Sequence, residues 1–292
     1  MKRVAIVGTG LIGASVGLAL KANGFEGEVV GWDASAAELE TALQRGAIDE
    51  ALVSREAVLE TDADVVVLAT PVLPILDWMQ RLSSVLGEGR LVTDVGSTKR
   101  EIAVLASRLF NQPGRARFLP GHPMAGKESG GASLAEADLF RGATWLFCPV
   151  TAGGGGGTSE LEAAWREWVS RFGAVVREME PERHDEVCAW VSHLPQMVAT
   201  ALSGLLEDRF AGDAEGMAAV QAVGGKALRE MTRLGASPYS MWRDVALTNT
   251  EAIAATLAAL EQRLAHVREN LRTPELREEF GLANRFRGKG RG

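Results

Sequence analysis

Val4-Ala5-Ile6-Val7-Gly8-Thr9-Gly10-Leu11-Ile12-Gly13 decides how the first half of the chain folds. The four leading residues read as a buried strand and Leu11 to Ala22 as a helix, so the glycines fall in a strand-to-helix turn. In such a turn the first glycine permits the tight bend, the second lets backbone approach a pyrophosphate, and the third allows close helix–sheet packing. Trp32-Asp33 ends the next strand with an acid twenty positions after Gly13. A carboxylate there accepts hydrogen bonds from an adenosine ribose and repels a 2′-phosphate; its alternative role is to cap the following helix. Gly8, Gly10, Leu11, Ile12, Gly13 and Asp33 are the candidate cofactor residues, with NAD favoured over NADP.

The same alternation runs on through the first half. Strands are expected at Glu28–Trp32, Asp64–Ala69, Leu91–Val95 and Arg117–Leu119, separated by helices at Ser35–Arg45, Leu73–Leu86 and Thr98–Phe110. Thr70-Pro71 falls at the carboxyl edge of this sheet, where ligands of open α/β folds lie, and joins the cofactor candidates. Ser97-Thr98 reads as a helix N-cap with Glu101 completing a capping box. Thr144–Val150 and Ala174–Val176 are expected to add to the same sheet, with the Gly153–Gly157 run as a surface connection.

From Pro181 strand signals vanish, so a domain boundary is placed near Glu180, giving domains 1–180 and 181–292. Helices are expected at Pro181–Glu207, Glu215–Leu234 and Met241–Leu271, with a kink at Pro195. The last repeats apolar residues at helical spacing through Val245, Ile253, Leu257, Leu260 and Leu264. Helices so long and few rarely bury themselves alone, so a homodimer through this half is expected. The basic tail Asn284–Arg291 reads as a frayed terminus.

Composition narrows the function classes. A net charge of −7 argues against nucleic acid or an anionic membrane as the main partner. Cys148 and Cys188 lack the spacing of a disulfide framework or a zinc site and read as core residues, so no metal is expected. The N-terminal stretch lacks a secretory h-region and no segment is long and apolar enough to span a bilayer, so a cytoplasmic protein is expected.

Three polar clusters fall at element ends: Asp94-Val95-Gly96-Ser97-Thr98-Lys99, Gly121-His122-Pro123-Met124-Ala125-Gly126-Lys127-Glu128 and Ser192-His193-Leu194-Pro195-Gln196. His122, in a Gly/Pro-punctuated stretch after an apolar run, either caps local backbone or does chemistry. A neutral imidazole is the base best matched to drawing a hydroxyl proton near neutral pH. Together with the Gly8–Gly13 turn, these clusters resemble the prephenate and arogenate dehydrogenase family of tyrosine biosynthesis over roughly Val4 to Asn249.

That resemblance implies an α/β fold, a Rossmann-like dinucleotide-binding domain followed by an all-α dimerisation domain, with the active site between them. It implies a reaction in which a cyclohexadienol loses hydride and its ring carboxylate to give a phenol. His122 matches the family histidine that takes the hydroxyl proton, and Ser97 the serine beside it. Lys99 and Glu128 match cleft residues, with a solvated first-turn lysine and a surface acid as their plain readings. His193 matches a supporting histidine, and Arg229 the arginine that binds substrate carboxylates, within a motif that departs at Ala227, Leu228 and Glu230. Gln196 stands where prephenate-specific members often carry a second histidine, which keeps arogenate open beside prephenate as the small-molecule substrate. The competing readings are another hydroxy-acid or imine reductase and a non-catalytic dinucleotide sensor.

Overall fold

A computed structural model describes residues 1–127, 129–150 and 158–289. The first half begins β1 (Arg3–Val7), α1 (Leu11–Ala22), β2 (Glu28–Trp32), α2 (Ala36–Gln44), β3 (Glu50–Ala51) and α3 (Arg55–Leu59). It continues β4 (Val65–Leu68), α4 (Val72–Val85), β5 (Leu91–Asp94), α5 (Arg100–Leu109) and β6 (Arg117–Leu119). All six strands are parallel, in the order β3-β2-β1-β4-β5-β6. Strand order reverses between β1 and β4, and that switch point opens a crevice at the strands' carboxyl ends.

Strand periodicity builds two cores from one sheet. Val4, Ile6, Val65 and Val67 face one apolar cluster, while Ala5, Val7, Val66 and Leu68 face the other. Each strand is thus covered by helices on both faces, which explains the unbroken apolar runs. The short edge strand β3 carries too little pattern to be read from sequence.

The main sheet stops at β6, contrary to the expected extension. β7 (Gly121–Pro123), β8 (Thr144–Phe147) and β9 (Val175–Glu178) form a separate three-stranded sheet, β7-β8 antiparallel and β8-β9 parallel. Pro120 has no N–H to continue the β5–β6 ladder. Beyond it the Asp94 carboxylate accepts the Gly121 N–H at 3.1 Å and draws the chain out of the sheet. His122 therefore lies in a strand rather than a loop. Between β8 and β9, α6 (Glu160–Arg171) starts at a Ser159–Glu162 capping box. The Gly153–Gly157 connection lies outside the described residues.

Three long helices were expected in the second half, and each is interrupted. The first divides into α7 (Pro181–Cys188), a π-helical segment Ala189–His193 and α8 (Leu194–Phe210). Pro195 cannot donate to Val191, and the wider π turn absorbs that loss. The second breaks at Gly224-Gly225 into α9 (Ala214–Val223) and α10 (Gly225–Thr232), followed by a 3-10 turn, Arg233–Ala236. The third breaks at Asn249 into α11 (Tyr239–Thr248) and α12 (Thr250–Glu269). The tail expected to fray is helical as far as Lys289, the last described residue, in α13 (Glu275–Lys289), held to α12 by Arg263–Glu279 and His266–Glu279 contacts of 2.7 and 3.4 Å. No helix among the described residues is long and apolar enough to cross a membrane.

Candidate active site

The glycine turn is built as its spacing demands. Gly8 has φ +95°, and a Cβ there would lie 2.6 Å from the Ala69 carbonyl oxygen; one on Gly13 would lie 1.9 Å from the Gly8 carbonyl oxygen. Around Gly10 nothing lies within 4 Å of such a Cβ, so the middle glycine faces open space. The α1 N-terminus has no side-chain cap, which leaves its N–H groups directed at that space. These are features that fit a pyrophosphate.

Asp33 closes the turn from the end of β2. Its carboxylate accepts the Thr9 N–H at 2.7 Å and the Ser35 N–H at 2.8 Å. Ser35, not Asp33, is the N-cap of α2, so the partly exposed acid keeps lone pairs for a ribose.

A cavity of about 300 Å³ joins this turn to the second sheet. Leu11, Ile12, Thr70, Pro71, Ser97 and His122 line it from the first half, with Pro238, Met241 and Val245 from α11 and its approach. A larger groove of about 700 Å³ between α5, α7 and α12 contains none of these expected residues.

Ser97 is free to face the cavity because the expected capping box does not form. The start of α5 is capped from the other half of the chain, where Asp185 on α7 accepts the Lys99 and Arg100 N–H groups at 2.7 and 2.9 Å. A carboxylate at a helix N-terminus gains from the dipole as well as from the hydrogen bonds. Lys99 is neither solvated nor on the cavity wall. Its ammonium is fully buried and paired with Asp94, whose carboxylate also accepts the Gly96 N–H at 2.8 Å. Burial pushes the Asp94 carboxyl up, against the opposing pull of Lys99 and the Gly96 and Gly121 N–H groups.

His122 is 9 % exposed and meets a second imidazole: its Nδ1 lies 2.9 Å from His184 Nε2, and His184 Nδ1 lies 2.8 Å from Asp185 Oδ1. Burial first, and then His184, Lys99 and His193, hold the His122 pKa well below the usual histidine value. Cys188 Sγ sits 3.6 Å from His184 Nε2, and burial pushes its thiol up to about 12. The donor atoms of His122, His184 and Cys188 lie within 4.8 Å of one another. Two zinc–nitrogen bonds of about 2.0 Å at a tetrahedral angle would set the nitrogens roughly 3.3 Å apart, so the 2.9 Å separation is that of a hydrogen bond. Sequence reading passed over His184 and Asp185; their only signal was an adjacent His-Asp pair just after the helix-opening Pro181.

His193 and Gln196 are buried behind the cavity rather than lining it. Asn249 Nδ2 donates to His193 Nδ1 at 3.2 Å and to the Asp185 carbonyl at 2.9 Å, and Trp242 packs edge-on against the ring. Burial lowers the His193 pKa to about 4. Gln196 Nε2 donates to the Leu234 carbonyl at 2.7 Å and to Thr200 Oγ1 at 3.2 Å, while its Oε1 is buried without a partner. Arg229 is exposed on α10 and does not line the cavity. Glu128 lies outside the described residues.

An imidazole and a glycine turn that fits a pyrophosphate open into one cavity, the parts that a dinucleotide-dependent dehydrogenase needs. Sequence comparison gives the particular kind. Residues 16–177 match the nucleotide-binding domain of prephenate dehydrogenase, and residues 180–283 its dimerization domain. The prephenate dehydrogenase of Lactococcus lactis is 32 % identical over 92 % of this chain and 70 % of its own length. That of Bacillus subtilis is 32 % identical over 86 % of this chain and 65 % of its own length. Among solved structures, prephenate dehydrogenase from A. aeolicus in complex with hydroxyphenyl propionate and NAD+ superposes with a TM-score of 0.84 at 30 % identity, covering 100 % of this chain and 97 % of that one. Synechocystis arogenate dehydrogenase gives 0.76 at 29 % identity, covering 98 % and 99 %. The chain belongs to the prephenate dehydrogenase family.

Proposed function

We propose that this enzyme oxidises prephenate to 4-hydroxyphenylpyruvate and carbon dioxide with NAD, the tyrosine-forming branch of aromatic amino-acid synthesis. The observation that carries the reading is the single cavity shared by His122, Ser97 and the Gly8–Gly13 turn. NAD, when bound, supplies the two-electron acceptor for the ring carbon that bears the hydroxyl. The turn and the α1 N-terminus hold its pyrophosphate and Asp33 its ribose, which disfavours NADP.

His122 accepts the hydroxyl proton as that carbon is oxidised, and Ser97 orients the same hydroxyl. Departure of the ring carboxylate leaves its bonding pair in the ring, which becomes aromatic, and the oxygen recovers a proton. Thr70 and Pro71 border the cofactor end of the cavity, and the apolar side chains of Met241 and Val245 exclude water. His193 supports α7 and α11 across Asn249.

Gln196 supports a second reading, use of arogenate. It stands where prephenate-specific members often carry a second histidine and, buried behind the cavity, acts through the Leu234 carbonyl that its amide holds rather than on the substrate itself. The similarity to Synechocystis arogenate dehydrogenase agrees with this choice of rival.

A homodimer is built through the helical half. Tyr239 is 77 % and Phe286 78 % exposed in the single chain, alongside Val223, Leu264 and Phe280. So much exposed apolar surface calls for a partner. Light scattering at micromolar concentration is expected to give twice the mass of one chain; a monomer would sink this part of the reading.

Replacing His122 with Asn tests the chemistry. Loss of a positioned base is expected to cut kcat by about a hundredfold to ten-thousandfold, with NAD affinity by fluorescence titration unchanged. Equal activity of the two proteins would remove His122 from the reaction.

A further inference from the structure

The dehydrogenase reading leaves the buried pair His184 and Asp185 unused, although it touches the reacting imidazole. With both rings neutral, the hydrogen-bond pattern sets where the protons sit. Asp185 is a carboxylate that already accepts two backbone N–H groups at the start of α5, so its contact with His184 Nδ1 requires that nitrogen to carry a hydrogen. A neutral His184 then presents a bare Nε2, and the 2.9 Å contact requires His122 to donate from Nδ1. The remaining nitrogen of His122, Nε2, is left with its lone pair, the form a base needs.

The same chain can carry charge. His122 is buried beside the Lys99 ammonium, a poor place for an imidazolium to rest. His184 has a carboxylate at 2.8 Å, which compensates a positive ring. We propose that His184 and Asp185 form a proton relay behind His122: the substrate hydroxyl gives its proton to His122 Nε2, and the Nδ1 proton of His122 passes to His184 Nε2.

This inference rests on the dehydrogenase reading. In the step, the O–H bond of the substrate breaks and an N–H bond forms on His122. One N–H bond moves from His122 to His184, and the ring oxygen keeps the electron pair that becomes its carbonyl. When the ring carboxylate leaves and the oxygen becomes a phenolate, both transfers reverse and the proton returns, so neither histidine is changed by a turnover. His122 is the catalytic residue; His184 and Asp185 act through it. The charged or titratable groups facing the relay are Lys99 at the start of α5, Cys148 just after β8, Cys188 on α7 and His193 on the π segment.

His184→Gln separates holding from relaying, because a Gln carbonyl near the Nε2 position still accepts the His122 hydrogen and cannot take the proton. The expected result, on whichever cyclohexadienyl acid the wild type oxidises, is kcat lower by about tenfold to a hundredfold, with KM within about threefold. The acid limb of the kcat profile is expected to move to lower pH, because His122 alone now binds the proton. The proton inventory in mixed water and deuterium oxide, curved in the wild type, becomes linear. Unchanged kcat, a change confined to KM, or a lower kcat with an unmoved acid limb and inventory each overturns the relay.

If His184→Gln fails to fold, 15N NMR of the histidine-labelled wild type decides. The signal that vanishes in His122→Asn is expected to show a hydrogen on Nδ1 and a bare Nε2; the opposite tautomer overturns the proposal. This measurement needs no substrate, so a failure of the dehydrogenase reading and a failure of the relay are told apart.

Discussion

The two halves of the molecule use their buried positions differently. In the first half, residues Val4 to Val7 and Val65 to Leu68 are wholly buried and apolar, and alternate positions feed two cores. In the second, many of the buried residues are polar: His184, Asp185, His193, Gln196, Asp244, Thr248 and Asn249. The large apolar side chains there, Val223, Tyr239, Phe280 and Phe286 among them, face outward. The first half closes its apolar cores with its own residues. The second buries polar side chains and leaves large apolar ones at its surface, where the proposed homodimer would cover them.

The largest effect that would break this contrast lies in the first half. Gly13→Val puts side-chain atoms where the Gly8 carbonyl oxygen lies 1.9 Å from a Cβ. NAD binding is expected to be lost in a fluorescence titration, and overpacking of about 1–3 kcal/mol should lower the melting temperature by several degrees. Retained NAD affinity would show that the turn is not the cradle.

Next in size is a pH effect seated in the helical half. The folded-state pKa of His193, about 4, lies below its ordinary 6.5. Above 6.5 both folded and unfolded forms are neutral and nothing changes. As pH falls from 6.5 toward 4 only the unfolded chain takes up the proton, and stability drops by roughly 3 kcal/mol at most. Urea melts are expected to show this loss in the wild type and a flatter dependence in His193→Gln. Parallel curves would place the titrating group elsewhere.

Asp33→Asn is expected to weaken NAD binding by about tenfold, in line with the loss of a charged hydrogen bond of roughly 1.5 kcal/mol, and to improve the use of NADP. An unchanged NAD-to-NADP ratio would assign Asp33 to the turn alone. The smallest effect concerns Arg229, which lies outside the cavity wall. Arg229→Ala is expected to leave KM within about threefold, and a tenfold rise would mean that α10 meets the substrate in the working enzyme.

What could be read from the sequence follows the reach of the contacts. The β1 turn, Asp33 and the strand–helix alternation are local patterns, and they stand where they were read. His122 was visible as a histidine out of place, although its strand was not. The capping box at Ser97 and Glu101 had the right spacing but lost to Asp185, a competitor 85 residues from Arg100 in sequence. The His122–His184 contact spans 62 residues, and no periodicity encodes such a pair. Lys99 reads from sequence as a cleft residue or a solvated lysine, and neither reading sees that it turns back onto Asp94 of the preceding strand. The second sheet was misassigned because Pro120 ends one ladder and starts another with no change in composition.

Initial rates of the purified enzyme with prephenate and with arogenate, each with NAD and with NADP, test the central claim most directly. Turnover of prephenate with NAD, well above the other three combinations, is the predicted result. No turnover of either acid, with NAD bound normally, would contradict it and leave a nucleotide-binding protein with another substrate or none.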